Sequence, residues 1–213
     1  CEVKPPSNIH VLIGKNGVGK TTILKRMLYA VEKCGISEQM GKFQGDSFAN
    51  VVFVSFSAFD MSISSADLSE NRLAIPYTFV GLVEKERVKS GKLLAEDFSK
   101  SLYKIVKGTK KKLWNKAIEV LESDSTFTEL NVREWSNYHM GHYTEKNINE
   151  IDAESEEMVE EAIFEKNIVP MFERLSSGHK VILLTIAKLV ELVEEKTLVL
   201  LDEPEEHLHP PLV

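Results

Sequence analysis

The chain has 213 residues, 43% of them hydrophobic and 28% charged, with a formal net charge of −7. That length buries one good core with room for a second helical subdomain, and the apolar share excludes a disordered chain. The acidic balance argues against a protein coated for nucleic acid, and no apolar run nears the roughly 20 residues of a membrane span. The closest, residues 181–193, is interrupted by Thr185, Lys188 and Glu191. Cys1 and Cys34 have neither metal nor redox spacing and read as free thiols in a reducing cytoplasm. No signal peptide is visible. A start at Cys1 and a stop just after a motif suggest a piece of a longer protein.

Pro5 and Pro6 mark a turn into residues 9–13, an apolar run expected to form a short buried strand. Residues 14–22, GKNGVGKTT, follow and fit G-x-x-x-x-G-K-[ST], the phosphate-binding loop. From Lys20 to about Lys33, Ile23, Leu24, Met27, Leu28 and Val31 recur at helical spacing. A triphosphate needs several donors converging on one spot. Backbone N–H groups supply them where glycines let the chain wrap tightly and a helix N-terminus adds its dipole. The expected nucleotide contacts are Asn16, Gly17, Val18, Gly19, Lys20, Thr21 and Thr22, with Lys20 on the outer phosphates and the Thr21 hydroxyl on Mg²⁺. A Gly-rich turn before an ordinary helix would show the same local pattern.

Residues 51–57, VVFVSFS, read as a second strand and residues 75–81 as a third, with loops between. Residues 83–121 read as helical, broken near Gly108, with stripes at Leu93, Leu94, Phe98, Leu102, Ile105 and Val106 and at Leu113, Trp114, Ala117, Ile118 and Leu121. Residues 123–149 carry little pattern. Residues 150–165 are helical again, with Ile151, Met158, Val159, Ala162 and Ile163 on one side, and Pro170 leads out of them. Ser176, Ser177 and Gly178 then precede an apolar helix over 181–194, which is good capping chemistry and could be no more than that. Residues 197–201 form a buried strand that ends in Asp202 and Glu203. Carboxylates beyond the carboxyl end of such a strand are what a phosphate loop needs: Asp202 for the Mg²⁺ shell and Glu203 to polarise a water. His207 and His209 lack the helical spacing of zinc enzymes.

GKNGVGKT, LSSGHK and LVLLDEP, in that order, resemble the Walker A, signature and Walker B motifs of ABC-type ATPases. The DEPEEHLHP ending is more like the RecF, SMC and OLD-type ATPases than transporter subunits. The resemblance implies an α/β P-loop NTPase with an ABC-ATPase-like head and a helical insert. Residues 1–82 would carry the Walker A lobe, 83–170 the insert, and 171–213 the signature helix and Walker B strand, with the head continuing beyond. It further implies two heads pairing head-to-tail, as a dimer or higher oligomer, around ATP and Mg²⁺. Ser177 and Gly178 would then reach the γ-phosphate of the partner's nucleotide, Thr21 and Asp202 the metal, and Lys20 and Glu203 would be catalytic. Residues 205–209 would stand at the dimer interface.

There are departures from that pattern. Ser177 replaces the usual glycine and His179 the usual glutamine, and no Q-loop glutamine follows the second strand, where Ser55 and Ser57 stand. FVSFSAFD, IPYTFVGL and LSSGHK together are similar to PtuA ATPases of Septu antiphage systems, retron-linked forms included, which implies a separate nuclease partner and a role in antiviral defence. A nucleotide-gated scaffold with little hydrolysis, holding a toxin or nuclease inactive, is the alternative. Charge is uneven: residues 84–116 carry eleven Lys/Arg against four Asp/Glu, and residues 117–165 carry two against fourteen. Such blocks suit a DNA or RNA contact beside a partner surface, or two helices attracting each other across the fold. No membrane partner is expected.

Overall fold

A computed structural model describes residues 9–15, 17–32, 48–56, 75–84, 87–137 and 153–204. Its elements run α1 (Lys20–Glu32), β1 (Asn50–Ser55), β2 (Tyr77–Gly81), β3 (Val83–Glu84), β4 (Arg87–Val88), α2 (Gly91–Lys107), α3 (Lys111–Leu121), α4 (Ser125–Thr128), α5 (Val132–Trp135), α6 (Ala153–Glu173), α7 (Ser177–Leu192) and β5 (Thr197–Asp202). Among the described residues β2, β1 and β5 form a parallel sheet in that order. The central strand reads NVVFVS, buried from Val51 onward, as expected of a parallel strand covered on both faces.

Alternation along β1 divides two cores. Val51 and Phe53 pack with Leu28 and Val31 of α1 and with Leu200 of β5. Val52, Val54 and Phe56 join a larger core that runs through α2, α3, α6 and α7. Helix α2 is central there, packed on both α6 and α7. Ser90 caps its start by accepting from the Leu93 amide, and Gly108 ends it by donating to the Lys104 carbonyl. Phe98 stacks on Phe172 at 4.5 Å and meets Trp135 edge-on at 6.1 Å. Charge pins the same layer. Lys104 pairs with Glu191 and Lys107 with Glu160, while Lys110 donates to the Glu191 and Val193 carbonyls at the end of α7. Burial alone would raise the Glu191 carboxyl, but the Ser101 hydroxyl, Lys188 and Lys104 outweigh it and hold it below its ordinary range.

Several elements differ from the sequence reading. Residues 9–13 form no strand and are open to solvent, Ile9 at 85% and Ile13 at 94%. An apolar run becomes a strand only where a neighbour takes its N–H and C=O groups, and no described strand pairs with it. Residues 83–84 and 87–90 are not helical: β3 and β4 pair antiparallel, and α2 starts only after the Ser90 cap. Within the predicted stripes, Leu93 and Leu113 are exposed.

The face expected for α6 is the wrong one. Met158 is 70% exposed and Val159 and Ile163 are exposed too, whereas Phe164, Ile168 and Phe172 are buried. Pro170 lies inside the helix rather than after it. A helical proline costs about 3 kcal/mol. Burying Ile168 and Phe172 on either side returns roughly 1.5–3 kcal/mol each, which offsets it.

Ile168→Ala is therefore expected to lower unfolding stability by about 2–5 kcal/mol, and Met158→Ala to stay within about 0.5 kcal/mol of wild type, both read by denaturant titration. A depressed native pKa contributes stability above the unfolded value and loses it as the group protonates. Glu191→Gln should thus be less stable than wild type near neutrality, and the gap should close as pH falls below the ordinary 4.5.

Candidate nucleotide site

The phosphate loop bends through Gly17 and Gly19, whose φ values of 82° and 94° are strained for any L side chain. Helix α1 starts at Lys20, and the Ile23 amide donates back to the Gly19 carbonyl, so the loop passes directly into the first turn. The free N–H groups and dipole of that turn favour an anion. Lys20 Nζ donates to the Gly14 carbonyl at 2.9 Å and to that of Lys15 at 3.5 Å, which holds its charge at the loop. Val18 and Thr22 are exposed on the same turn, and Thr21 is half-buried. Asn16 lies outside the described residues.

The strand ends supply the other half. In register, Ser55 of β1 stands opposite Gly81 on one side and Asp202 on the other. A Cβ on Gly81 would come within 2.2 Å of the Ser55 carbonyl, so that close approach requires glycine. Asp202 is only 6% exposed, and a carboxylate so buried needs polar partners. One is Thr21, whose Oγ1 donates to Asp202 Oδ1 at 3.1 Å across 181 positions of sequence. Glu203 follows at φ 47°, a left-handed conformation that costs a non-glycine residue on the order of 1–3 kcal/mol and collects at functional sites.

The oxygen pair suits magnesium. Adjacent ligands of an octahedral ion with bonds near 2.0–2.1 Å stand about 2.9 Å apart, and Thr21 and Asp202 already lie close to that. No cluster of three His, Cys, Asp or Glu side chains suited to a metal occurs among the described residues, and His207 and His209 fall outside them. No described helix is long and apolar enough to cross a membrane.

Residues 2–174 match the AAA ATPase domain family. The chain belongs to that family. This AAA ATPase domain is also 35% identical to Protein ea59 of Escherichia phage lambda over 221 residues, which cover 98% of the chain and 41% of the relative. It therefore spans about two fifths of the length of the curated relative it matches. No solved structure matches it. The resemblance to RecF-, SMC- and OLD-like ATPases holds in this coarser form, as a P-loop ATPase domain with a parallel α/β sheet. The family match ends before α7 and β5, so the role of Asp202 rests on its contact with Thr21.

The two serines at the start of α7 have separate roles. Ser176, in extended conformation, is the N-cap and accepts from the His179 amide at 3.3 Å. Ser177, exposed, and Gly178 open the helix itself, and among the described residues no hydrogen bond joins them to the phosphate loop of the same chain. Sequence spacing gave Ser176 only a generic capping role and left His179 unassigned. Its partner Thr126, 53 positions away, carries no motif that could have disclosed it. Part of the basic block is engaged within the fold: Lys104 with Glu191, Lys110 with Glu194, Lys107 with Glu160, and Lys89 with Asp97.

Thr21→Val and Asp202→Asn should each weaken ATP binding in the presence of Mg²⁺ by at least about tenfold, the scale of losing a metal-site partner. Affinity measured by calorimetry in excess EDTA should be unchanged, because neither change touches the glycines or Lys20.

Proposed function

We propose that this domain binds ATP with Mg²⁺ and hydrolyses it, pairing with a second copy of itself to do so. The Thr21–Asp202 contact carries the reading, because it sets the loop beside a strand-end carboxylate at ion-ligand spacing. Bound with the nucleotide, magnesium would neutralise charge on the β- and γ-phosphates, with Thr21 and Asp202 as its protein ligands. Lys20, held at the loop, would take the outer phosphate oxygens, and Glu203, next to the buried Asp202, would polarise the attacking water. Ser177 and Gly178 open the 16-residue helix α7, so their hydroxyl and backbone donors, with the helix dipole, suit the γ-phosphate held by another copy. That trans role is what the signature-like LSSGHK implies.

The pairing would govern a nuclease or DNA-processing partner, in the manner of the antiviral ATPases that the motifs resemble, the PtuA proteins among them. Ser55 favours a second reading. A short buried hydroxyl beside Asp202, where the resembled ATPases have a glutamine on the following loop, suits a domain that holds nucleotide and turns it over little. Such a domain would serve as a nucleotide-gated scaffold.

In full-length protein, ATP turnover is expected to vanish in Lys20→Ala and Glu203→Gln, and the Glu203→Gln variant should double in solution mass on Mg-ATP. Unchanged turnover in both variants would remove the hydrolysis reading. Steady wild-type turnover on the order of several per minute or faster would remove the scaffold.

A further inference from the structure

The signature-like turn is held from outside its own helix. His179 Nδ1 lies 3.0 Å from Ser176 Oγ, and His179 Nε2 lies 3.3 Å from Thr126 Oγ1, on the short helix α4. Thr126 is itself committed: its hydroxyl and its amide both donate to Asp124 Oδ1 at 2.8 Å. The His179 ring meets Phe127 edge-on at 4.7 Å, and Phe127 is buried in the larger core.

One proton arrangement satisfies all these groups. The single hydroxyl hydrogen of Thr126 goes to the Asp124 carboxylate, so Thr126 Oγ1 must accept from Nε2–H. Nδ1 is then the acceptor and takes the Ser176 hydroxyl hydrogen, while Ser176 Oγ accepts the His179 amide. The chain of donors runs from Ser176 through His179 to Thr126 and ends on the Asp124 carboxylate, which accepts. It brackets Ser177 and Gly178 between two fixed residues and ties them to residues 124–128.

We propose that His179 is a positioning residue that sets the Ser177–Gly178 turn for its trans contact with nucleotide, so that the contact depends on how residues 124–128 are seated. The proposal rests on the pairing reading above. It gives the helical layer a route to the nucleotide: whatever displaces α4 displaces the turn, while the phosphate loop of the same copy is untouched. A side chain that only filled space would need Phe127 but neither Ser176 nor Thr126. Glutamine, the usual residue at this place in the resembled motif, has a terminal amide that can still reach toward Thr126.

The test uses full-length protein carrying His179→Ala, His179→Gln, Thr126→Val and, as reference, Ser177→Arg. ATP affinity is measured at protein concentrations too low for pairing, pairing by solution mass against protein concentration, and turnover at saturating Mg-ATP. His179→Ala and Thr126→Val should leave affinity within about twofold yet weaken pairing and turnover roughly three- to tenfold, the equilibrium worth of one or two hydrogen bonds. His179→Gln should recover most of that loss. Ser177→Arg abolishing pairing while His179→Ala and Thr126→Val pair and turn over like wild type would overturn the positioning role alone. Ser177→Arg without effect would overturn the pairing reading and this proposal with it. Should His179→Ala not fold, Thr126→Val decides, since it removes one hydroxyl from an exposed side chain.

Discussion

Everything in the site depends on one constraint: Thr21, at the start of α1, has to meet Asp202, at the end of β5. The two are 181 positions apart. Closing a loop of that length costs about 4–5 kcal/mol of chain entropy before any constant is added, and a hydrogen bond returns about 1 kcal/mol net. The contact is therefore a consequence of the fold. It comes from the register of β5 on β1, which aligns Ser55 with Asp202, and from α1 packing Leu28 and Val31 on the β1 face shared with Leu200.

The opposite face of β1 shows why so much chain lies between the motifs. Val52 and Val54 open into a core that continues without a break through α2, α3, α6 and α7. Helix α2 is the hub, with Phe98 in contact with Trp114, Trp135 and Phe172. Ion pairs fasten its outer side to α6 and α7, so Lys104 and Lys107 of the basic block serve as clasps between helices. Lys110 closes the carboxyl end of α7, and the Ser176–His179 bracket closes its start. The helix that carries the signature-like residues is thus held at both ends by residues 104–126, a part of the chain remote from the phosphate loop.

Local strain and glycine fall where this arrangement needs them. Gly17 and Gly19 give the loop its left-handed turns, and Gly81 leaves space beside the Ser55 carbonyl. Among the described site residues Glu203 alone accepts a left-handed backbone without being glycine, a cost that a buried strand end can impose and that a solvated acidic turn would relax. The strain and the buried carboxylate adjoin each other at the carboxyl end of β5.

By itself the sequence determined what depends on short-range spacing. The phosphate loop and α1 were legible, because glycine positions and a 3.6-residue period are local properties. So were β1 and β5 as strands, although Leu201 of the run expected to be buried is exposed, the break at Gly108, and the pairing of Asp202 with the loop as an expectation of chemistry. What depended on partners was not legible. Residues 9–13 have the pattern of a strand but no described neighbour to complete their hydrogen bonds. Residues 83–90 continue a helical pattern, yet β3 and β4 pair there. Helix α6 has apolar residues on more than one side, and the core it meets selects Phe164, Ile168 and Phe172 as the buried set, with Tyr103 against Phe164 and Phe98 against Phe172. The ion pairs of Lys104 and Lys107 and the hydrogen bonds of His179 were decided by which acidic and hydroxyl groups the fold brought within reach. Periodicity states which faces a segment can bury; the tertiary structure decides which face meets a partner, because burial and hydrogen bonding are properties of two surfaces and the sequence lists only one at a time.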